Sequence, residues 1–491
     1  MLADAEQPEH RLKKTLGWLS LTALGIGAII GTGIFVVTGT AAAGQVLPYS
    51  SLFQAPLLDV LMHGAHAMNA NGRPGAGPAI ALSFLLVAIV CGFSGLCYAE
   101  LASMIPIAGS AYTYTYATLG ELIAWIIGWD LILEYAVSNM AVAVGFSGYI
   151  KSLFETYGIH IPDSLSTPAY TPGMGGWALH FNFIGFFIVM ALTVLLVVGI
   201  RESSGANNVM VGVKLVAIMI FIIAAAHYIR PINYHPYFPN GWQGVLTGGA
   251  IVFFSYIGFD SVSTAAEECK NPKRDLPIGI MISLGVCAIF YVGVAVVLTG
   301  IQPWRSLDND APVANALHAI GLNRVERWVD VGALMGMISS LLVYQYGQAR
   351  VWFAMSRDGL LPPAFSAVHK RFRTPHVATW IAGIFVGIPA GIFDIGTLVN
   401  LSNIGTLFAF MLVAIAVLVL RKRQPDRPRG FSIPWSPWTP ILSLAMCLVL
   451  MASLTVENWV RFFVWLVIGL FIYLWYGRKH SGLADANIRQ R

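Results

Sequence analysis

The chain has 491 residues, of which 57% are hydrophobic and 11% charged, with a formal net charge of +5. Soluble domains carry about 25% charged residues, so this composition excludes an aqueous globule. The positive excess lies mainly between apolar stretches, which makes a nucleic-acid partner unnecessary.

A helix that crosses a bilayer needs about 20 mostly apolar residues. Twelve stretches qualify, at 18–38, 78–103, 121–148, 182–200, 208–229, 243–267, 277–301, 328–356, 377–393, 397–420, 438–455 and 459–477. They predict an all-α integral membrane protein with one twelve-helix domain over 18–477. Polar tails flank it at 1–17 and 478–491. The polar start MLADAEQPEHRLKK and the long apolar stretch after it do not resemble a cleavable signal, so the first helix is expected to be retained. Of the 29 Lys and Arg residues, 21 fall on the N-terminal side of these spans and 7 on the other, with Lys214 inside a span. Positive charge favours the cytoplasmic side. Both termini are therefore expected in the cytoplasm, and the protein in the cell membrane.

The first span contains GIGAIIGTGIF, with Gly25, Gly27, Gly31 and Gly33 in an apolar run. Each glycine costs a helix interior roughly 1 kcal/mol. Small residues four apart also suit tight helix packing, so this span alone fits either packing or a break. The loop that follows, about 44–77, is rich in Pro and Gly. It holds His63 and His66 without an acidic or Cys partner, which reads as a solvated loop rather than a metal site. No metal or cofactor is expected. The five cysteines (Cys91, Cys97, Cys269, Cys287 and Cys447) lie within or at the cytoplasmic ends of spans and form no disulfide framework.

In the third span, Glu134 is a costly intramembrane carboxylate. It serves a basic substrate side chain or a proton, or it steadies helix packing as a hydrogen-bonded acid. Asn139, on the same span, reads as an interhelical hydrogen bond. The fifth span carries Lys214 in VMVGVKLVAIMI, about five residues from its start, where snorkelling to the interface is one explanation. The sixth span, GGAIVFFSYIGFDSVSTAAEE, is interrupted by Ser255, Gly258 and Asp260. Asp260 fits a gate or proton relay, or a cap on the second half-helix. Glu267 and Glu268 read as interfacial.

Interrupted spans at corresponding positions of two repeats point to the binding site of a secondary transporter. Here repeats over 18–229 and 243–420, followed by two extra helices over 438–477, bring the first and sixth spans into correspondence. With the sixth span added, a break is the stronger reading of the first. Unwinding near Ile30–Gly33 frees N–H groups that attract a carboxylate. Freed carbonyls accept an ammonium. Irregular backbone is tolerated at that depth only beside a cavity. Such a site suits a zwitterionic amino acid.

At these residues the chain resembles the amino acid–polyamine–organocation superfamily, specifically the bacterial relatives of cationic amino acid transporters. GIGAIIGTGIF is similar to that family's first helix and FFSYIGFDSVSTAAEE to its sixth. The stretch CYAELASMIPIAGSAYTYTYATLGELIAWIIGWDLILEY resembles its second-to-third helix region. YGQARVWFAMSRDGLLP resembles the eighth helix with its following loop, and LSNIGTLFAF the tenth. The 44–77 loop departs from the pattern, being longer than relatives usually keep. The resemblance implies five-plus-five inverted repeats and proton-coupled amino acid uptake by alternating access. It places the substrate carboxylate against the backbone of Gly31, Thr32, Gly33 and Ile34. The ammonium meets carbonyls of Ile29 or Ile30 and of Phe254, Ser255 or Ile257, under a Phe254 gate.

The same likeness puts Tyr344 and Gln345 near the substrate side chain, where Tyr344 limits pocket size; an interhelical hydrogen bond is the plain alternative. It also puts Lys214 where sodium-coupled relatives hold a cation, with Ser339 or Ser340 as its contact on the eighth helix. The expected function is uptake of small neutral or cationic L-amino acids with a proton. The alternatives are an exchanger and a non-transporting sensor. The 104–119 loop lacks the basic motif of the major facilitator fold, and no clustered His or paired Asp suggests an enzyme.

Overall fold

The computed structural model describes residues 16–46, 52–64, 72–105, 109–171, 176–198, 203–372 and 374–481. His66 and most of both tails lie outside the described residues, as do the side chains of His63, Glu267 and Glu268.

The first apolar stretch forms two helices rather than one. Helix α1 (Trp18–Ile29) ends where Ile30 turns extended, with φ −79° and ψ 101°. The chain resumes as a wide π turn over Gly33–Val37 and then α2 (Thr38–Ala43). The two parts are bent by 42°. Glycine at 31 and 33 weakens the helix where this happens.

The chain then runs through α3 (Ile80–Met104), α4 (Ser110–Thr118), α5 (Glu121–Thr156), α6 (Phe183–Val198) and α7 (Ser203–Ala226). Helix α8 (Gly241–Val252) gives way to 3₁₀ turns over Phe253–Tyr256 and Phe259–Glu268. Six longer helices follow: α9 (Pro272–Ile301), α10 (Asn323–Arg357), α11 (His376–Ile392), α12 (Ile395–Arg423), α13 (Trp438–Ala452) and α14 (Val456–Ile472).

Among the described residues, eight helical segments are long and apolar enough to cross a membrane, and the bent pair α1–α2 makes a ninth. Helices α6, α11 and α13 are apolar but shorter, at 16, 17 and 15 residues. Several helices outrun their apolar stretches. Helix α5 reaches Thr156 rather than 148, and α10 starts at Asn323 rather than 328. Polar side chains are tolerated once a helix leaves the hydrocarbon layer, so hydropathy alone ends such helices early.

The membrane part is all helical, but the loops add two small antiparallel ladders. Strand β1 (Gly44–Val46) pairs with β2 (Gly72–Pro74), and β3 (Tyr170–Thr171) with β4 (Gly176–Trp177).

Helix α5 lies at the centre, packed between α10 and α12, while α9 packs on both α1 and α3. Helix α14 lies at the rim, and its Phe463, Val467 and Phe471 are exposed. Indole groups lock it to α5. Trp125 Nε1 donates to Gly469 O at 2.9 Å, Trp129 Nε1 to Trp465 O at 2.9 Å, and Trp465 Nε1 back to Trp129 O at 3.2 Å. The Trp129 and Trp465 rings stack with centroids 4.4 Å apart.

Glu100, near the end of α3, is 1% exposed and paired in two directions. Arg421 at the end of α12 grips it with Nε at 2.9 Å and also with Nη2, and Ile433 N donates to Oε2 at 2.8 Å. Removing one member of a buried pair strands the other charge and costs about 3–5 kcal/mol. Glu100→Ala should therefore lower the unfolding temperature of the detergent-purified protein by several degrees. An unchanged melting curve would show that the pair contributes nothing net.

Candidate functional site at two helix breaks

The two breaks meet in the middle of the helix bundle. The second lies at Ile257, which is extended (φ −59°, ψ 139°), followed by Gly258 at φ +115°. Only glycine holds that left-handed conformation cheaply. A Cβ there would also lie 2.8 Å from the Ala28 Cβ of α1. At Gly33 the fit is closer: a Cβ would sit 2.5 Å from the Ser255 Cα. The glycines of the opening motif thus let one broken segment lie directly on the other.

Most of the carbonyls expected to receive an ammonium are already hydrogen-bonded by side chains. The Tyr291 hydroxyl on α9 lies within donating distance of both Ile29 O (2.8 Å) and Ser255 O (2.6 Å), its single proton serving one at a time, and so bridges the two breaks. Tyr344 on α10 donates to Ile257 O at 2.9 Å. Ile30 O receives Lys214 Nζ at 2.8 Å and Ser340 Oγ at 3.3 Å, while Phe254 O receives Ile257 N at 3.2 Å. A carbonyl oxygen has two lone pairs, so these acceptors are shared rather than closed. Phe254 and Ile34 are buried beside the contact, and the buried Thr32 donates to Val142 O of α5 at 3.4 Å. Ser255 Oγ is buried without a partner among the described residues. Gly31 abuts α10, where a Cβ would lie 2.5 Å from Ser340 Oγ.

Lys214 does not snorkel. It is fully buried, and its Nζ donates to Gly27 O and Ile30 O, both at 2.8 Å. Those two carbonyls belong to the last turn of α1, where the interrupted ladder leaves acceptors free. Ser340 Oγ reaches Gly27 O, Ala28 O and Ile30 O at 3.1, 3.2 and 3.3 Å. Ser339 donates to Asn207 Oδ1 at 2.8 Å and lies 3.5 Å from Gly27 O. The end of α1 is thus held by one cation and two hydroxyls from α7 and α10.

A second cluster lies on the α5 side. Tyr135 donates to Asp260 Oδ2 at 2.7 Å, and its ring stands 6.2 Å from that of Tyr344. Glu134 is 1% exposed, and among the described residues no well-aligned hydrogen bond reaches either of its oxygens. Thr406 of α12 is its polar neighbour. The Asn139 amide has no hydrogen-bond partner among the described residues. The neighbouring Ser138 makes the interhelical bond expected of Asn139, to Ser402 at 2.7 Å. Gln345 turns away from the breaks and donates to Thr193 Oγ1 on α6 at 2.5 Å.

Sequence reading missed Tyr291, because a tyrosine in an apolar span carries no signal of its own. The contact also gives Tyr344 a checkable role. Tyr344→Phe removes the donor to Ile257 O while keeping the ring. Each hydrogen bond is worth about 0.5–1.5 kcal/mol, so ligand affinity should shift by up to about tenfold with side-chain selectivity retained. A changed ranking of amino acids in that variant would instead assign the ring to the pocket wall.

The pattern of the amino acid permease family matches residues 16–477 of this chain. The chain belongs to that family. Its relatives include the branched-chain amino acid permease BcaP of Bacillus subtilis, 47% identical over 484 residues, covering 98% of this chain and 97% of the relative. The methylthioribose transporter of the same organism is 42% identical over 478 residues, covering 97% and 96%. A vacuolar cationic amino acid transporter of Arabidopsis thaliana is 37% identical over 424 residues, covering 85% and 65%. The protein is a multi-pass membrane transporter of an amino acid transport family, not an enzyme.

Proposed function

We propose that the protein takes up small neutral or cationic L-amino acids together with a proton, by alternating access across the plasma membrane. The observation that carries this reading is the meeting of two broken helices at Gly33 and Ser255. Broken helices offer N–H groups to a carboxylate at one edge and carbonyls to an ammonium at the other. Substrate carboxylate against Gly31–Ile34, and ammonium shared with Tyr291 at Ile29 O and Ser255 O, is the pose that this geometry favours. Family membership supports the ligand class, and relatives named for branched-chain and for cationic amino acids span the side chains proposed.

The remaining architecture belongs to the same proposal. The nine long or bent apolar segments and the three shorter ones together make twelve spans. The breaks near Ile30 and Ile257 hold corresponding places in repeats over 18–229 and 243–420. The Lys and Arg bias puts both termini in the cytoplasm. Lys214 is the proton-linked group: a charged donor makes roughly twice as strong a hydrogen bond as a neutral one. Loss of its proton therefore loosens the end of α1. Glu134 and Asp260 are the partners for a basic side chain or a relayed proton.

The test is a thermal-shift panel of the twenty amino acids and methylthioribose on purified protein, followed by proteoliposome uptake of the stabilising ligands. Stabilisation by several amino acids and their uptake under an inward proton gradient are expected. Stabilisation by methylthioribose alone would assign the other relative's substrate. Binding without uptake or counterflow would make the protein a sensor.

A further inference from the structure

The long loop that sets this chain apart ends in a fixed cation. Strand β2 carries Arg73, held in register opposite Gln45 of β1. The segment is fastened on both sides: Ala76 N donates to Ala41 O at 3.0 Å, and Asn240 Nδ2 to Gly75 O at 2.8 Å. Arg73 therefore stands on a paired element rather than on a free loop tip.

Arg73 lines a small cleft, bounded by Val37, Thr40, Ile251, Ile395, Gly396 and Val399. Val37 closes the π turn that begins at Gly33, and Ile251 lies four residues before Ser255. The cleft is thus about one helical turn from the contact between Gly33 and Ser255. Apart from Arg73, its charged neighbours are already engaged. Asp394 caps α12, its Oδ2 accepting from Gly396 N at 2.9 Å and Thr397 N at 3.2 Å, its Oδ1 from Thr397 Oγ1 at 2.5 Å. Glu457 accepts from Gln54 Nε2 at 2.8 Å and is paired with Arg461. Arg73 makes no ion pair among the described residues, and its Nε is shut off from solvent without an acceptor. Burial pulls its pKa down to about 10, which leaves it charged at neutral pH.

We propose that Arg73 forms an entry subsite that receives the α-carboxylate of an incoming amino acid before the broken first helix takes it. A guanidinium is suited to a carboxylate, which it grips with two parallel N–H donors. The apolar walls leave the substrate side chain in contact with Val37, Ile251 and Val399. The assignment rests on the amino acid reading above; a ligand without a carboxylate gains nothing from Arg73.

The test compares proteoliposome uptake by wild type, Arg73→Gln and Arg73→Lys, each checked for a single gel-filtration peak. Arg73→Gln should raise KM about tenfold, the value of one charge-assisted hydrogen bond, with Vmax within about twofold. Arg73→Lys should restore much of the loss. In the wild type alone, raising potassium chloride from about 20 to about 500 mM should raise KM, because Arg73 as a whole residue is only partly buried and salt screens a charge that solvent reaches. This arm holds even if a variant fails to fold. An unchanged KM in Arg73→Gln overturns the proposal. So does a fall in Vmax alone, or a loss that Arg73→Lys does not recover, since either marks Arg73 as a loop anchor. A wild type that takes up no amino acid overturns the functional reading itself, and is distinguished by its failure before any variant is compared.

Discussion

Replacing Gly33 by valine should reduce amino acid uptake about a hundredfold or more. A Cβ at this position would lie 2.5 Å from the Ser255 Cα and 2.7 Å from its Cβ. The obstacle is backbone, which cannot rotate away as a flexible side chain would. The two breaks must separate, and a shift of about 1 Å at a binding site can cost a hundredfold. Overpacking costs typically 1–3 kcal/mol, so the protein should still insert and fold. Alanine carries the same Cβ and should also impair uptake, though less than valine. Gly92 on α3 is the control, because a Cβ there meets nothing within 4 Å. Gly92→Ala should transport normally. Wild-type affinity in Gly33→Val would end the claim that the substrate is bound where the two segments touch.

Lys214→Met should uncouple uptake from the proton gradient. Methionine keeps most of the length of the chain and removes both donors to Gly27 O and Ile30 O. Each stranded acceptor costs about 1–3 kcal/mol, partly offset here by Ser340, which reaches the same two carbonyls. The end of α1 should loosen rather than unfold. In proteoliposomes with an imposed pH gradient and no sodium, uptake should fall at least about tenfold. Substrate binding should stay within a few fold of wild type. Normal pH-driven uptake by the variant, or strict sodium dependence of the wild type, would remove Lys214 from the coupling.

The features legible in the sequence were those that break a local rule. Glycines in an apolar run cost helix stability, so Gly31 and Gly33 pointed to a break that the structure has at Ile30. Lys214 was visible as a lone charge inside a span, but its depth there also allowed snorkelling, and its contacts with the first and eighth helices were an expectation of the family resemblance. Residues that obey local rules stayed silent. Tyr291 is an ordinary member of an apolar helix until its hydroxyl is found on two carbonyls 226 positions apart in the chain. Arg73 looked like any loop arginine, because only the β1–β2 pairing turns it toward the cleft. Glu100 looked like a helix-end carboxylate, since its partner Arg421 is 321 residues away. Distant pairings of this kind leave no periodic trace, and so the contact of Gln345 with Thr193, 152 positions away, could not be assigned from its span.

The indole lock between α5 and α14 has a mechanical consequence. Two helices joined by three hydrogen bonds and a ring stack respond to load as one beam. One side of that beam faces outward at the rim, while the other bears Glu134 and Tyr135 at the centre. The ends of α1 and the second break are fastened differently, by single hydroxyls and one ammonium that can let go one at a time. The α5–α14 pair is therefore the stiff part of the bundle, and the Tyr135–Asp260 hydrogen bond joins it to the segment beyond the second break.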